Sequence, residues 1–411
     1  MGNRKFSGFV SVVIAQFVAM TMVVIGARAA STTTVVYAFS GGADGEYLDT
    51  DLVMDNAGNL YGTTVQGGSG SGTVFQLAPS ASGWTHTVLY SFTGGADGAE
   101  PYKGVTLDAE GNLYGTTVAG GSGPCESGCG VVFKLTNSAG VWTESVIHTF
   151  TGSDGSGPGS GLTFDKAGNL YGMTPTGGTY GLGVIYQLRP SATGNWWFRV
   201  IHTFTGGVDG SSGSAGRLIL DHAGNLYGVT TVGGANGKGV AFKLHRSYTG
   251  AWILKPLYAF KDQPDGALPY GGLIFDRSGN LYGTTYYAGA HDVGTVYKLT
   301  HRGDSWTESV LYSFKGALDG SSPISTLVRD AAGNLYGTTS EGGTRGSYGV
   351  IFKLAPGSNN SWTESVAYRF PGVPGASLPY NGMVADSVGN FYGATSHGGP
   401  TNDGTIYKFT P

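Results

Sequence analysis

Gly279-Asn280-Leu281-Tyr282-Gly283, followed by Thr284 and Thr285, is the stretch on which the fold turns. The same pentapeptide starts at Gly58, Gly111, Gly168, Gly224 and Gly333, and a seventh copy at Gly389 carries Phe391 in place of Leu. Successive copies lie 53, 57, 56, 55, 54 and 56 residues apart. A period this regular marks a repeat architecture in which each unit is one supersecondary motif.

Reading outward from residue 279 gives one unit. Gly272–Asp276 is a short apolar strand, Arg277–Asn280 a turn, and Leu281–Thr285 a second strand followed by a Gly-rich loop. Gly294–Leu299 is a third strand and Trp306–Phe314 a fourth. Four short antiparallel strands per repeat of this length are the signature of a propeller blade. The seventh unit stops after its third strand, Gly404–Phe409, whereas Thr34-Val-Val-Tyr-Ala-Phe39 matches the fourth-strand pattern Ser309-Val-Leu-Tyr-Ser-Phe314. The chain is therefore expected to be all-β, a seven-bladed propeller whose last blade is completed by residues 34–39, which hides the edge strands that an open stack would expose. Pro256 falls in a fourth strand, which fits an outer edge because proline cannot donate to a ladder. All seven tryptophans begin fourth strands, and only the N-terminal copy lacks one.

Composition agrees. Gly accounts for 74 of 411 residues without a collagen period, while 40% of the chain is apolar and can form a core. Net charge is −4, and residues 30–411 carry 20 basic against 27 acidic groups, which leaves no electrostatic footprint for nucleic acid. Arg4 and Lys5, the apolar run Phe9–Ile25 and Ala27-Arg28-Ala29 read as a cleaved signal peptide over residues 1–29, with an N-terminal membrane anchor as the alternative. Residues 31–411 are then one domain, a monomer with no membrane span. Cys125 and Cys129 are expected to form a local disulfide.

Residues present in every unit are assigned to the scaffold, since a site is needed once and a packing contact seven times. The Asp that ends each first strand (55, 108, 165, 221, 276, 330 and 386) is read as a turn acceptor and the pentapeptide Tyr as packing between blades. His148 and His202 stand where other fourth strands carry Tyr. A second Asp, at 44, 97, 154, 209, 265 and 319, reads as an Asp-Gly turn or as an acidic ring at one mouth, with calcium as a possible ion.

Residues that break the repeat on loops of one face are the site candidates. Tyr102, Tyr270 and Tyr380 lie in Pro-Tyr-x-Gly before a first strand, and Tyr180, Tyr286, Tyr287 and Tyr348 follow second strands. Asp265 and Asp319 join them from the acidic ring. Glu46, Tyr47, Asp49 and Asp51 make the first unit's lead-in acidic. Tyrosines beside carboxylates suit sugars, the ring covering C–H groups while the acids accept hydroxyl hydrogens. His291 and His397, with Asp292, Glu341, Arg345 and Asp403 on the same loops, are the weak catalytic candidates. No Gly-x-Ser-x-Gly elbow, His-Glu-x-x-His or phosphate loop occurs.

The run Gly-Asn-Leu-Tyr-Gly-Thr-Thr, Gly-Gly, Gly-x-Val-Phe-Lys-Leu and Trp-Thr-Glu-Ser-Val-Leu-Tyr-Ser-Phe resembles the GloVer tandem-repeat (choice-of-anchor) proteins over residues 34–410. The resemblance implies a bacterial surface or secreted protein and carries no catalytic residues. The chain ends at Pro411 without a sorting segment, so anchoring through that end is not expected. The reading is a binding module for extracellular glycan, another surface polymer or a surface protein, with no resident cofactor. A secreted polysaccharide lyase or hydrolase and a structural surface protein are the alternatives.

Overall fold

Seven blades of antiparallel strands arise from the seven repeats; strand order follows the chain in six of them, and in the seventh the N-terminal strand lies outermost, beside the last strand of the chain. The computed structural model describes residues 1–2, 31–213, 216–343 and 345–411. The signal-peptide segment lies almost wholly outside these. Residues Ser31–Pro411 form one compact unit, and among the described residues no helix is long and apolar enough to cross a membrane.

Blade 5 is representative. Ala267–Pro269 and Ile274–Phe275 form the inner strand and pair with Leu281–Tyr287, which pairs with Thr295–Arg302 and then with Ser305–Ser313. The sequence reading found only the second half of the inner strand. The first half carries Pro and precedes a Tyr-x-Gly run, a composition that reads as loop. Blade 7 is completed as expected: Thr32–Ala38 pairs antiparallel with Thr405–Thr410, from Thr32 opposite Thr410 to Ala38 opposite Thr405. Pro256 does lie in an outermost strand, Trp252–Ala259.

The pentapeptide builds each blade twice over. Its second Gly faces the aromatic ring of the same blade's third strand: a Cβ on Gly62 would come 2.7 Å from Phe75, and one on Gly337 2.6 Å from Phe352. Phe133, Tyr186, Phe242, Tyr297 and Tyr407 press on the other five glycines in the same way. A methyl has no room there, so glycine is required for space rather than for φ. The pentapeptide Tyr then reaches the next blade. Tyr392 meets Trp84, Tyr114 meets Trp196, Tyr171 meets Trp252, Tyr227 meets Trp306 and Tyr282 meets Trp362, with centroids 5.7–6.5 Å apart. Tyr61 and Trp142 share one core cluster. Blade 7 has no such Trp, and there Tyr336 instead packs on Phe391 at 4.9 Å. The one departure from Gly-Asn-Leu-Tyr-Gly thus supplies a ring for the Tyr of the preceding blade where the tryptophan is missing.

Both families of repeated aspartate are structural clasps. In all seven turns, Asp55 and its counterparts accept the backbone N–H and the side-chain amide of the following Asn and the Tyr hydroxyl. The second aspartates turn back onto their own fourth strands. Asp44, Asp97, Asp265 and Asp319 accept from Tyr37, Tyr90, Tyr258 and Tyr312, and His148 and His202 take the tyrosine's place on Asp154 and Asp209.

Three glutamates of the next blade face these clasps. Burial, then the charge of the neighbouring aspartate, pushes Glu144 (beside Asp97) and Glu364 (beside Asp319) up to about 7, and Glu308 (beside Asp265) up to about 8. The folded chain therefore holds protons that the unfolded chain has released, so stability falls as pH rises from about 4.5 to about 8. The turn aspartates act oppositely: hydrogen bonds hold Asp55, Asp221, Asp276 and Asp386 low, so their contribution is present at neutral pH and lost on acidification below the usual carboxylate range. Changing Glu144, Glu308 and Glu364 to Gln is expected to raise stability at pH 8.5 by about 1 kcal/mol each, allowing for partial solvent exposure, and to change little at pH 4.5. Urea unfolding at the two pH values reads this directly. An equal effect at both would show that the glutamates are not protonated by burial.

Candidate functional site

The Pro-Tyr-x-Gly stretches are bulges in the inner strands. In blade 2 the register of Ala99–Leu107 shifts between Tyr102 and Val105, and in blade 5 pairing breaks between Pro269 and Ile274. A bulge leaves its residues unpaired and re-aims them, here from several blades toward one mouth of the ring.

A second sevenfold feature sits one residue ahead. Tyr47, Glu100, Ser212, Leu268, Ser322 and Leu378 have φ of 55–59°, and Gly157 has 62° at the same place. Each donates its backbone N–H to a carbonyl in the segment before it, respectively of Asp403, Ser71, Leu182, Lys238, Val293, Tyr348 and Cys129, at 2.9–3.1 Å. Left-handed backbone costs about 1–2 kcal/mol for an ordinary residue and persists where the surroundings fix it. The bond from Tyr47 to Asp403 carries the pattern across the seam between blade 7 and blade 1, so the ring of bonds is closed.

These two features build a cavity of about 490 Å³, lined by Tyr47, Asp49, Lys103, Leu268, Tyr270, Tyr286, Ile324 and Tyr380 with Thr231 and Val232. Below it a second cavity shares Lys103, Tyr270 and Ile324 and has room for about one water.

Its floor is polar. Lys103 is almost fully buried and donates to Asp49 and, at 2.8 Å, to Asn381 Oδ1, which joins blades 2, 1 and 7. Burial alone would lower the lysine, but the carboxylates of Asp49 and then Asp51 outweigh it and hold it above its usual value, as a cation. Asp51 accepts the Gly382 N–H at 3.0 Å. Asn381 Nδ2 is buried with no protein partner among the described residues. Burial and then the Asp49 charge raise Tyr102, and burial and neighbouring tyrosines and acids raise Tyr380, so both phenols stay protonated and can donate.

The structure brings together Tyr270 and Tyr380 among the expected residues, with Tyr47, Asp49 and Tyr286. Tyr102 stands beside them, within the electrostatic reach of Asp49, Tyr47 and Tyr270. Tyr348 lies elsewhere, over Gly372 and against the core between blades 6 and 7. Tyr287 is exposed at the end of its strand, opposite Ala267. Asp265 and Asp319 sit in the clasps described above, away from the mouth lining. His397 meets the Tyr47 ring at 5.5 Å and Ser396 at 3.0 Å. His291 is exposed beside Asp292, whose carboxylate accepts from Gln263. Cys125 and Cys129 are joined in a disulfide, with Cys129 in the core between blades 2 and 3. Among the described residues no group of three or more His, Cys, Asp or Glu could hold a metal. Lys103 and Asn381 were missed. The signal was the variable residue of Pro-Tyr-Lys-Gly and Pro-Tyr-Asn-Gly, which the third copy, Pro-Tyr-Gly-Gly, leaves empty.

Solved structures share the fold. A protein from Lactobacillus plantarum aligns with a TM-score of 0.57 at 14% identity, covering 86% of this chain and 99% of its own. A putative 6-phosphogluconolactonase from Bacteroides uniformis aligns with a TM-score of 0.51 at 13% identity, covering 82% and 88%. At such identities the likeness shows architecture alone. No curated protein matches the sequence. The family model described as the Gloeobacter/Verrucomicrobia repeat matches residues 23–163, 122–308 and 216–411, and the chain belongs to that family.

Proposed function

We propose that this chain is an exported binding module that holds an extracellular glycan in the mouth of its propeller. The observation that carries the reading is the convergence of Tyr47, Tyr270, Tyr286 and Tyr380 over a charged floor of Asp49 and Lys103. Tyrosine rings offer flat apolar faces for sugar C–H groups, and Asp49 and Lys103 in the lining offer an acceptor and a donor for hydroxyls. The site stands on bulges fixed by interblade hydrogen bonds, so it is largely formed before a ligand arrives. The N-terminal apolar run and the Cys125–Cys129 disulfide support export. The chain carries no cofactor in this reading and acts as a monomer.

Calorimetric titration against a panel of neutral oligosaccharides tests it. At least one is expected to bind, and Tyr270→Ala or Tyr380→Ala to weaken it about tenfold each, the loss of one stacking contact. Tyr180→Ala, at an exposed tyrosine outside the mouth lining, is expected to bind as the parent does. Failure of every sugar, or equal loss in all three variants, rejects the glycan reading.

A further inference from the structure

A second pocket of about 490 Å³ lies between blades 4 and 5, away from the mouth. Its apolar wall includes Trp306 and Phe275, and its rim carries Lys243, His245, Lys255 and His301. The scaffold does not ask for this set. Where blade 4 has His245 and Lys255, blade 2 has Thr136 and Ser145, and blade 6 has Ala355 and Ser365. Where blade 5 has His301, blades 2 and 6 have Asn137 and Pro356.

The polar groups of the cleft are only partly engaged by the protein. His301 Nε2 lies 3.2 Å from the Ser278 carbonyl, which can only accept, so Nε2 donates there and Nδ1 would donate to an anion only in the imidazolium form, while the ring face lies 5.2 Å from Trp306. His245 Nδ1 is buried with no protein partner among the described residues. Lys255 donates one hydrogen to the Asp304 carbonyl at 3.2 Å and meets the fully exposed Asp304 carboxylate at 3.8 Å, an ion pair of little strength, which leaves the ammonium two further hydrogens to donate. Of the two acids in the lining, Asp221 is tied up by Asn225 and Tyr227.

Charge over the whole chain points the same way. Residues 160–313 hold 12 Lys and Arg against 9 Asp and Glu, net +3, while the rest of 31–411 holds 8 against 18, net −10. One sector of an acidic protein is thus basic, which favours an anionic partner.

We infer that the cleft between blades 4 and 5 binds an acidic polysaccharide, with a sulfate or carboxylate substituent held by Lys255 and the two histidines and the sugar ring against Trp306. A recess between two blades admits a substituted sugar ring, whereas a flat membrane surface meets only its rim.

Binding of dextran sulfate and of uncharged dextran, measured at pH 6 in 100 mM salt, tests the assignment. Dextran sulfate is expected to bind and dextran not to. Lys255→Gln with His301→Gln is expected to weaken binding at least tenfold with an unchanged melting temperature. Lys315→Gln, at an exposed lysine on the loop that leaves blade 5 for blade 6, is expected to stay within twofold, and Tyr270→Ala in the mouth to leave this binding intact. Loss in Lys315→Gln equal to that in the double variant would mean diffuse charge and overturn the site. So would no binding of dextran sulfate, an unweakened double variant, or capture by phosphatidylglycerol vesicles but not by dextran sulfate.

Discussion

Removal of residues 31–40 is expected to cost several kcal/mol, a large part of the roughly 5–15 kcal/mol that holds a typical domain folded. Thr32–Ala38 is the outer strand of blade 7, and its loss strips the partner from Thr405–Thr410. Phe39 is 1% exposed and packs with Leu48, Phe75 and Ile406 at the seam between blades 7 and 1. The Tyr37 hydroxyl holds Asp44, and Asp44 in turn holds the Ser40 backbone. Phe39→Ala alone is expected to cost about 3–5 kcal/mol, the usual penalty for emptying a buried aromatic site. Urea unfolding measures both. A truncation that melts like the full chain would mean that the N-terminal strand does not close the ring.

The second large effect is expected at the floor of the mouth. Asp49→Ala leaves the Lys103 ammonium buried without its nearest counter-charge, with only Asn381 Oδ1 and the more distant Asp51 for company. Breaking a buried pair from one side costs about 3–5 kcal/mol, whereas replacing both partners with apolar residues of similar volume is often nearly neutral. Asp49→Leu with Lys103→Met is therefore expected to recover most of the stability that Asp49→Ala loses. If the single change costs under about 1 kcal/mol, the lysine is not held in the way the geometry implies. The two variants also separate folding from binding: the double is expected to fold and still to bind sugar poorly, because the floor's carboxylate and ammonium are gone.

Much of this was legible in the sequence because repetition exposes the scaffold. Seven copies of the pentapeptide gave the blades, and the split unit at the ends gave the closure. The aspartate turns and the tyrosine that packs between blades followed from recurrence alone. What recurrence could not show was how the first strand enters the ring. Pro-Tyr-x-Gly reads as loop by composition, and only the pairing of Pro269 with Thr285 reveals a strand broken by a bulge. The left-handed position before it is occupied by Tyr47, Glu100, Ser212, Leu268, Ser322 and Leu378, residues that share no chemistry and so leave no trace in a pattern. The same limit hid Lys103. A single lysine in one of three similar tetrapeptides carries no sign of its burial, yet the fold buries it against Asp49 and Asn381.

Asp265 and Asp319 show the converse. Their recurrence suggested an acidic ring, but an aspartate seven residues after a tyrosine in the preceding strand folds back to accept that tyrosine's hydroxyl. Tyr348, picked out as a loop tyrosine, has Gly372 beneath it and serves the core between two blades. Loop tyrosines in a Gly-rich chain are divided between packing and exposure by which glycine lies opposite, and that pairing is a property of the folded ring.

The most direct test of the mouth as the binding face is hydrogen exchange of the full protein with and without the best-binding neutral oligosaccharide. Slowed exchange is expected at residues 46–49, 100–104, 268–272 and 378–382, which come from four blades distant in sequence, with no change on the outer strands. Protection confined to any other face, or none on the mouth at saturating sugar, would contradict the account.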